Sequence, residues 1–301
     1  VILFSTYLFL VSIKRFALFY NLTFLNNLLT SFTGVIWGRT PFPGSGDFFK
    51  LMQKLGKTVN YVSNNSLRTK ENYEKLFQAA GIENGFENLT IPSTAIAEYL
   101  KSVNFNKKIY CVSCPETIRV LESHGYECQY GPDVGVDYYG DFIQYIEDDE
   151  EIGAVVFDSD YRVNLPKLYK ARSYLSRPDV LFINGATDRY VHLKTGRLGM
   201  GAGVFTDLVV EQVKRDPIQL GKPGKVFGEF AMKRAGVTDP SRVLFIGDMI
   251  DQDVGLGKAT GFKTVLVLTN ISKESMLGHP IQPDYYAPSL ESSRQFLLSK
   301  L

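Results

Sequence analysis

A chain of 301 residues exceeds the usual size of one domain, so a larger domain carrying a smaller one is expected. Its formal net charge of +1 supplies no attraction for nucleic acid or an anionic membrane, and 45 % hydrophobic with 22 % charged residues is the balance of an ordinary globular protein. Cys111, Cys114 and Cys128 are too few and too odd for a disulfide framework; they suit a reducing, cytoplasmic compartment, and a small-molecule ligand is the natural expectation.

Residues 1–33 differ in composition from the rest. Leu, Phe, Ile and Asn dominate, and no acidic residue occurs before Asp47. A signal or membrane anchor is one reading, but the run 1–13 is broken by Lys14 and Arg15 and falls short of the roughly 20 residues that span a bilayer. The other reading is a leader foreign to the fold, as a misplaced exon boundary would produce, and the fold is read without it.

Beyond Gly34 the pattern becomes regular. Phe48, Met52 and Leu55 recur at helical spacing up to Gly56, and residues 58–63 read as a strand ending in Asn64-Asn65. Tyr73, Leu76, Phe77 and Ala80 then mark an amphipathic helix closed by Gly81. Further strands are expected at 109–112, 154–157 and 180–183, with a helix at 115–124, so a second α/β unit lies within about 92–205. The last third holds strands at 243–246 and 264–268 with a helix before Gly261. Short continuous Val/Leu/Ile runs suit strands buried on both faces of a parallel sheet. The fold class is therefore α/β, with a doubly wound parallel-sheet core.

In open parallel sheets ligands meet the carboxyl ends of strands, so polar residues there take priority. Three places qualify. At Ser63-Asn64-Asn65-Ser66 a hydroxyl and backbone N–H groups could cradle a phosphate, or form a capping turn. Gly221-Lys222-Pro223 holds a lysine ahead of a helix, where a solvated surface charge is the plain alternative. Gly247-Asp248-Met249-Ile250-Asp251-Gln252-Asp253 follows a strand; its crowded carboxylates call for a cation such as Mg²⁺ or for hydrogen bonds, as in an N-cap. No G-x-G-x-x-G follows an early strand, which disfavours a dinucleotide-binding protein. Cys111-x-x-Cys114 has no second pair and follows a strand, so packing is the expected role.

In this order the three segments resemble motifs two, three and four of the haloacid dehalogenase superfamily. With Gly34-Val35-Ile36-Trp37, Pro43-Gly44 and Gly56-Lys57, the match is closest to its phosphoglycolate phosphatase, 4-nitrophenylphosphatase and pyridoxal phosphatase group. The resemblance implies a core at 34–91 and 206–301 with a cap inserted at 92–205, and a homodimer through the cap. It implies Mg²⁺-dependent hydrolysis of a small phosphorylated metabolite, in which one aspartate becomes an aspartyl-phosphate and a second, two residues on, protonates the leaving oxygen. Ser63, Asn64 and Asn65 then hold the phosphate, Lys222 pairs with phosphate and nucleophile, and Asp248 and Asp253 serve the metal. The cap region 184–203, with Asp188 and His192, would face the substrate.

One motif departs from the family. Where it has Asp-x-Asp-Gly-Val, this chain has Ser31-Phe32-Thr33-Gly34-Val35. Ser31 at the nucleophile position offers no carboxylate, and losing a nucleophile costs on the order of 10⁴ to 10⁶ in turnover. Thr33 at the general-acid position is the milder change. The chain is thus expected either to be a phosphatase whose true motif one has been displaced by the leader, or to be a catalytically silent paralogue that binds a phosphorylated ligand or a protein.

Overall fold

The computed structural model describes residues 24–192 and 197–301, and the chain divides into two compact units. Of the described residues, the first takes in those up to Ser63 together with Lys70–Thr90 and Gly228–Leu301; the second comprises Asn64–Thr69 and Ile91–Phe227. Residues 206–227, grouped with the core half on sequence, pack within the second unit.

The first unit is built on a six-stranded sheet. Its strands are β1 (Asn27–Ser31), β2 (Thr58–Val62), β3 (Leu89–Thr90), β11 (Val243–Gly247), β12 (Lys263–Val267) and β13 (Tyr285–Ala287), in the order β13-β12-β11-β1-β2-β3. Every pairing is parallel. Parallel neighbours need crossovers, which α1 (Ser45–Lys54) and α2 (Lys70–Ala79) supply on one side of β1 and α8 (Gly255–Thr260) supplies beyond β11. Strands covered on both faces must be apolar throughout, and Leu28, Leu29, Leu244, Phe245, Ile246, Val265 and Leu266 are all buried. Phe32, Tyr61, Tyr73 and Phe77 close the core with edge-on and tilted rings, Phe32 lying 4.7 Å from Phe77 and 5.5 Å from Tyr73.

The structure corrects the extent of the leader. Asn27–Ser31, inside the segment set aside on sequence, is the central strand, hydrogen-bonded to β2 on one side and β11 on the other. A five-residue strand directly continuing an apolar run has no punctuation to mark its start, so composition alone conceals it. What was read into residues 1–23 lies outside the described residues.

The second unit carries its own parallel sheet, β10-β7-β6-β4-β5, formed by β4 (Lys108–Val112), β5 (Cys128–Tyr130), β6 (Ile152–Phe157), β7 (Leu181–Asn184) and β10 (Ile218–Gln219). A core of Tyr110, Val155, Phe157, Tyr174 and Phe182 fills the space between this sheet and α5 (Leu165–Leu175). A separate hairpin pairs β8 (Tyr190–His192) with β9 (Leu198–Met200). Among the described residues no helix is long and apolar enough to cross a membrane.

Candidate active site

The strand order puts a switch point at β1: the chain runs outward through β2 and β3 on one side, then returns to β11 and runs outward the other way. Crossovers that diverge from one strand leave an open crevice at its carboxyl end. The register aligns that edge, since Ser31 lies opposite Val62 and Thr30 opposite Ile246. Ser31, Ser63 and Gly247-Asp248 therefore end three neighbouring strands on one side of one sheet.

Alternation along β1 continues past its end. Ser31 is buried, Phe32 turns into the aromatic core, and Thr33 is exposed at the open edge. The Ser31 hydroxyl donates to the Thr33 carbonyl at 3.3 Å, an acceptor that has no capacity to activate it by taking its proton. Gly34 then reverses the chain with φ at +82°, closed by its N–H to the Trp37 carbonyl at 2.8 Å. A Cβ at Gly34 would stand 2.0 Å from Asp248 Oδ2 and 2.4 Å from Oδ1, so only glycine lets this turn and the carboxylate share the space.

Asp248 is 3 % exposed and Asp253 fully buried, and each has a defined task. Asp253 Oδ2 accepts the N–H groups of Asp248 and Met249, both at 3.0 Å, and so fixes the turn that follows β11. Asp248 Oδ2 accepts from Asn270 Nδ2 at 2.5 Å. The loop bearing Asn270 is tied down beside it, because the Thr269 hydroxyl donates to the Gly34 carbonyl at 2.6 Å. Sequence reasoning passed over Thr269 and Asn270. The strand-end rule that selected Asp248 would have found them too, since they follow β12, the neighbour of β11.

Ser63 is buried, and Tyr73 donates its hydroxyl to Ser63 Oγ at 3.1 Å. The Ser63 N–H donates to the Thr90 carbonyl at 3.1 Å. The amide contribution expected of Ser63 is thereby taken up by the sheet, and its hydroxyl accepts from Tyr73.

Asn64, Asn65 and Lys222 belong to the second unit. The Asn64 side chain binds both backbone groups of Lys222: Oδ1 accepts its N–H at 2.7 Å, and Nδ2 donates to its carbonyl at 3.2 Å. Nδ2 also donates to Asp188 Oδ2 at 3.0 Å, while the Thr187 hydroxyl donates to the Lys222 carbonyl at 2.5 Å. Gly221 makes this knot possible, since a Cβ there would lie 2.0 Å from the Gly185 carbonyl oxygen. Lys222, 5 % exposed, is thus set by its backbone, and Asn64 positions it through neutral hydrogen bonds. Asn65 Oδ1 accepts from the Leu67 N–H at 3.0 Å, a turn contact. His192 ends β8, and its side chain lies outside what the structure describes. Cys111 and Cys114 are buried; contact with Cys128 and burial hold the Cys111 thiol high, and burial raises Cys114, which is the behaviour of packing residues.

A magnesium ion demands six oxygen donors in near-octahedral array, with carboxylates to offset its charge. At this edge Ser31 is neutral, Asp253 Oδ2 is turned onto two backbone amides, and Asp248 Oδ2 already accepts an amide. No group of three or more His, Cys, Asp or Glu suited to a metal occurs among the described residues. Asp248 would be the carboxylate to hold such an ion, with water and a ligand's phosphate oxygens completing its shell.

A family model described as haloacid dehalogenase-like hydrolase matches residues 28–127, and a HAD-hydrolase-like model matches residues 219–293. The chain is similar to phosphoglycolate phosphatase 2 of Arabidopsis thaliana, 32 % identical over 268 residues that cover 85 % of this chain and 88 % of the relative. It is also similar to 4-nitrophenylphosphatase of Schizosaccharomyces pombe, 29 % identical over 274 residues covering 85 % and 89 %. The solved p-nitrophenyl phosphatase from Archaeoglobus fulgidus superposes with a TM-score of 0.75 at 28 % identity, over 90 % of this chain and 98 % of that one. The first family match begins at Leu28, within β1, so family-like sequence already includes Ser31 and Thr33.

Proposed function

The chain belongs to the haloacid dehalogenase-like hydrolases, and on that premise we propose that it binds small phosphomonoesters of the phosphoglycolate or pyridoxal phosphate class and, with this sequence, barely hydrolyses them. The observation that carries the reading is Ser31 as the last residue of the central strand at the switch point. An aspartyl-phosphate needs a carboxylate there. Serine could attack phosphorus only after losing its proton, and the Thr33 carbonyl that its hydroxyl meets cannot take that proton. Thr33 cannot protonate a leaving alkoxide as a carboxylic acid would. What the chain keeps are two groups that the family resemblance assigns to phosphate, the Ser63 hydroxyl in the first unit and the Lys222 ammonium in the second. The name of one relative supports phosphoglycolate within that class.

Hydrolysis by the chain itself is the second reading, favoured by the retention of Ser63, Lys222, Asp248 and Asp253 together. The two part in one assay. Turnover of p-nitrophenyl phosphate, with and without Mg²⁺, is measured for this chain and for the Ser31→Asp, Thr33→Asp double variant. Background rates for the chain and a gain of at least about 10³-fold in the variant support a silent binding site. Equal rates in both overturn it. Calorimetric titration with phosphoglycolate and pyridoxal phosphate tests binding directly, and the absence of heat with either sinks the proposal.

A homodimer through the second unit is part of the same reading. It is supported by Tyr190 and Met200, which face each other across the β8–β9 hairpin and are both 66 % exposed. A monomeric mass by light scattering would overturn it.

A further inference from the structure

We propose that Asn84-Gly85 is a self-modifying site, at which Asn84 sheds its amide as ammonia and leaves an aspartate or an isoaspartate against the aromatic core of the first unit. The chain holds a second Asn-Gly pair, Asn184-Gly185, which its fold protects. The same dipeptide in two settings makes local structure the deciding variable.

The chemistry needs a side-chain amide free to rotate, a following N–H free to lose its proton, and no Cβ on the following residue to hinder ring closure. Glycine supplies the last at both pairs. Asn84 is exposed, lies in the loop between α2 and β3, and holds φ at +51°, a left-handed position that asparagine tolerates in turns. A turn role accounts for the pair's presence, but it leaves the reacting groups unoccupied. Among the described residues, neither the Asn84 amide nor the Gly85 N–H has a hydrogen-bond partner. At the other pair these conditions fail. Asn184 is 4 % exposed at the end of β7, and the Gly185 N–H donates to the Phe157 carbonyl at 2.7 Å. The Leu220 N–H donates to the Asn184 carbonyl, also at 2.7 Å, so the backbone there is held on two sides.

The step balances with water alone. Base removes the Gly85 N–H proton, the nitrogen attacks Asn84 Cγ, and the Cγ–Nδ2 bond breaks as ammonia leaves, giving a cyclic imide. Water then opens the ring at either carbonyl. One opening gives aspartate on an unaltered backbone; the other gives isoaspartate, with the side-chain methylene now inside the backbone. Both add a negative charge, and the second lengthens the chain where it has no slack. Gly85 rests on Phe77, a Cβ there standing 2.3 Å from the ring, and Phe86 lies 6.1 Å from Tyr73. Phe77 in turn packs on Phe32, 4.7 Å away.

The full chain is incubated at mildly alkaline pH, and peptide mass spectrometry follows the NH₂-to-OH exchange at each pair, with isoaspartyl methyltransferase labelling for the isomer. In the folded protein the exchange at Asn84 should run at least about tenfold faster than at Asn184, since opening the buried Gly185 hydrogen bond costs about that factor in rate. Unfolding in urea should erase most of the ratio. Exchange at Asn84 no faster than at Asn184 in the folded chain would overturn the proposal, as would a ratio that urea leaves unchanged. Asn84→Ser removes the amide and leaves Gly85 in place, so isoaspartate labelling should vanish; persistent labelling would place the site elsewhere. If that variant fails to fold, the mass map of the unaltered chain still decides. The isoaspartate fraction, separated by its charge, should melt below Asn84→Asp, which carries the charge without the extra backbone carbon. Melting no lower than that variant would overturn the placement against Phe77.

Discussion

The knot around Lys222 and the strand edge around Ser31 have fared differently. At the knot, backbone N–H and carbonyl of a buried lysine are both bound by Asn64, with Thr187 and Asp188 completing the contacts. At the edge, the turns and anchors are equally complete, from Gly34 to Asp253, yet the two positions to which the family resemblance assigns nucleophile and general acid carry neutral side chains. The contrast separates two reasons for a motif to persist. Asn64, Gly221, Gly34 and Asp253 are required by the backbone they hold, so their presence reports a sound fold and says little about turnover.

The sharpest way to break the comparison is Gly34→Ala. It forces a Cβ into Asp248 at a left-handed backbone position, and a loss of about 3 to 4 kcal/mol is expected in urea unfolding. Trp37, the single tryptophan, lies in the first unit and its fluorescence reads that loss directly. Asp253→Ala should follow at about 3 kcal/mol, since two buried amides lose a charged acceptor. If it cost nothing, the carboxylate would be serving a ligand and not the turn. Asn64→Ala is expected to cost about 2 kcal/mol in the second unit, with faster hydrogen exchange at the Lys222 amide and weaker phosphate binding. Unchanged exchange there would show that the knot is held by other contacts.

The smallest effect lies at the opposite edge of the first sheet. Burial pushes the Asp284 carboxyl up, but hydrogen bonds from Lys258 and from the Thr264 side chain and amide outweigh it and bring the pKa to about 2. A folded-state pKa below that of the unfolded chain, roughly 3.9, adds stability that is complete above it and is lost as pH falls from there towards 2. About 1 kcal/mol should disappear across that window after allowance for solvent screening, and Asp284→Asn should flatten the slope. A slope unchanged in the variant would place the acid sensitivity elsewhere.

Much of this architecture can be read from the sequence. The strands ending at Val62, Val112, Phe157 and Gly247 are short apolar runs with clear punctuation, and the helix bearing Tyr73 and Phe77 repeats at its own period. β1 is hidden because the apolar run before it offers no boundary, and β10 and β13 are too short for a pattern of their own. Motif positions locate Ser63, Lys222, Asp248 and Asp253, but not what those side chains do. That Asn64 grips a lysine backbone, or that Asn270 meets Asp248, depends on loops brought together from 158 and 22 residues apart. Such partnerships have no local signal.

Phe32 has a consequence of another kind. Its ring belongs wholly to the aromatic core, while the residues on either side lie on the strand's other face, so the packing of those rings does not depend on the side chains at 31 and 33. Chemistry here is modular. A lineage could shed hydrolysis through a few nucleotide changes and keep a stable, ligand-binding protein for selection to redeploy, and the same few changes reversed would reopen the catalytic route.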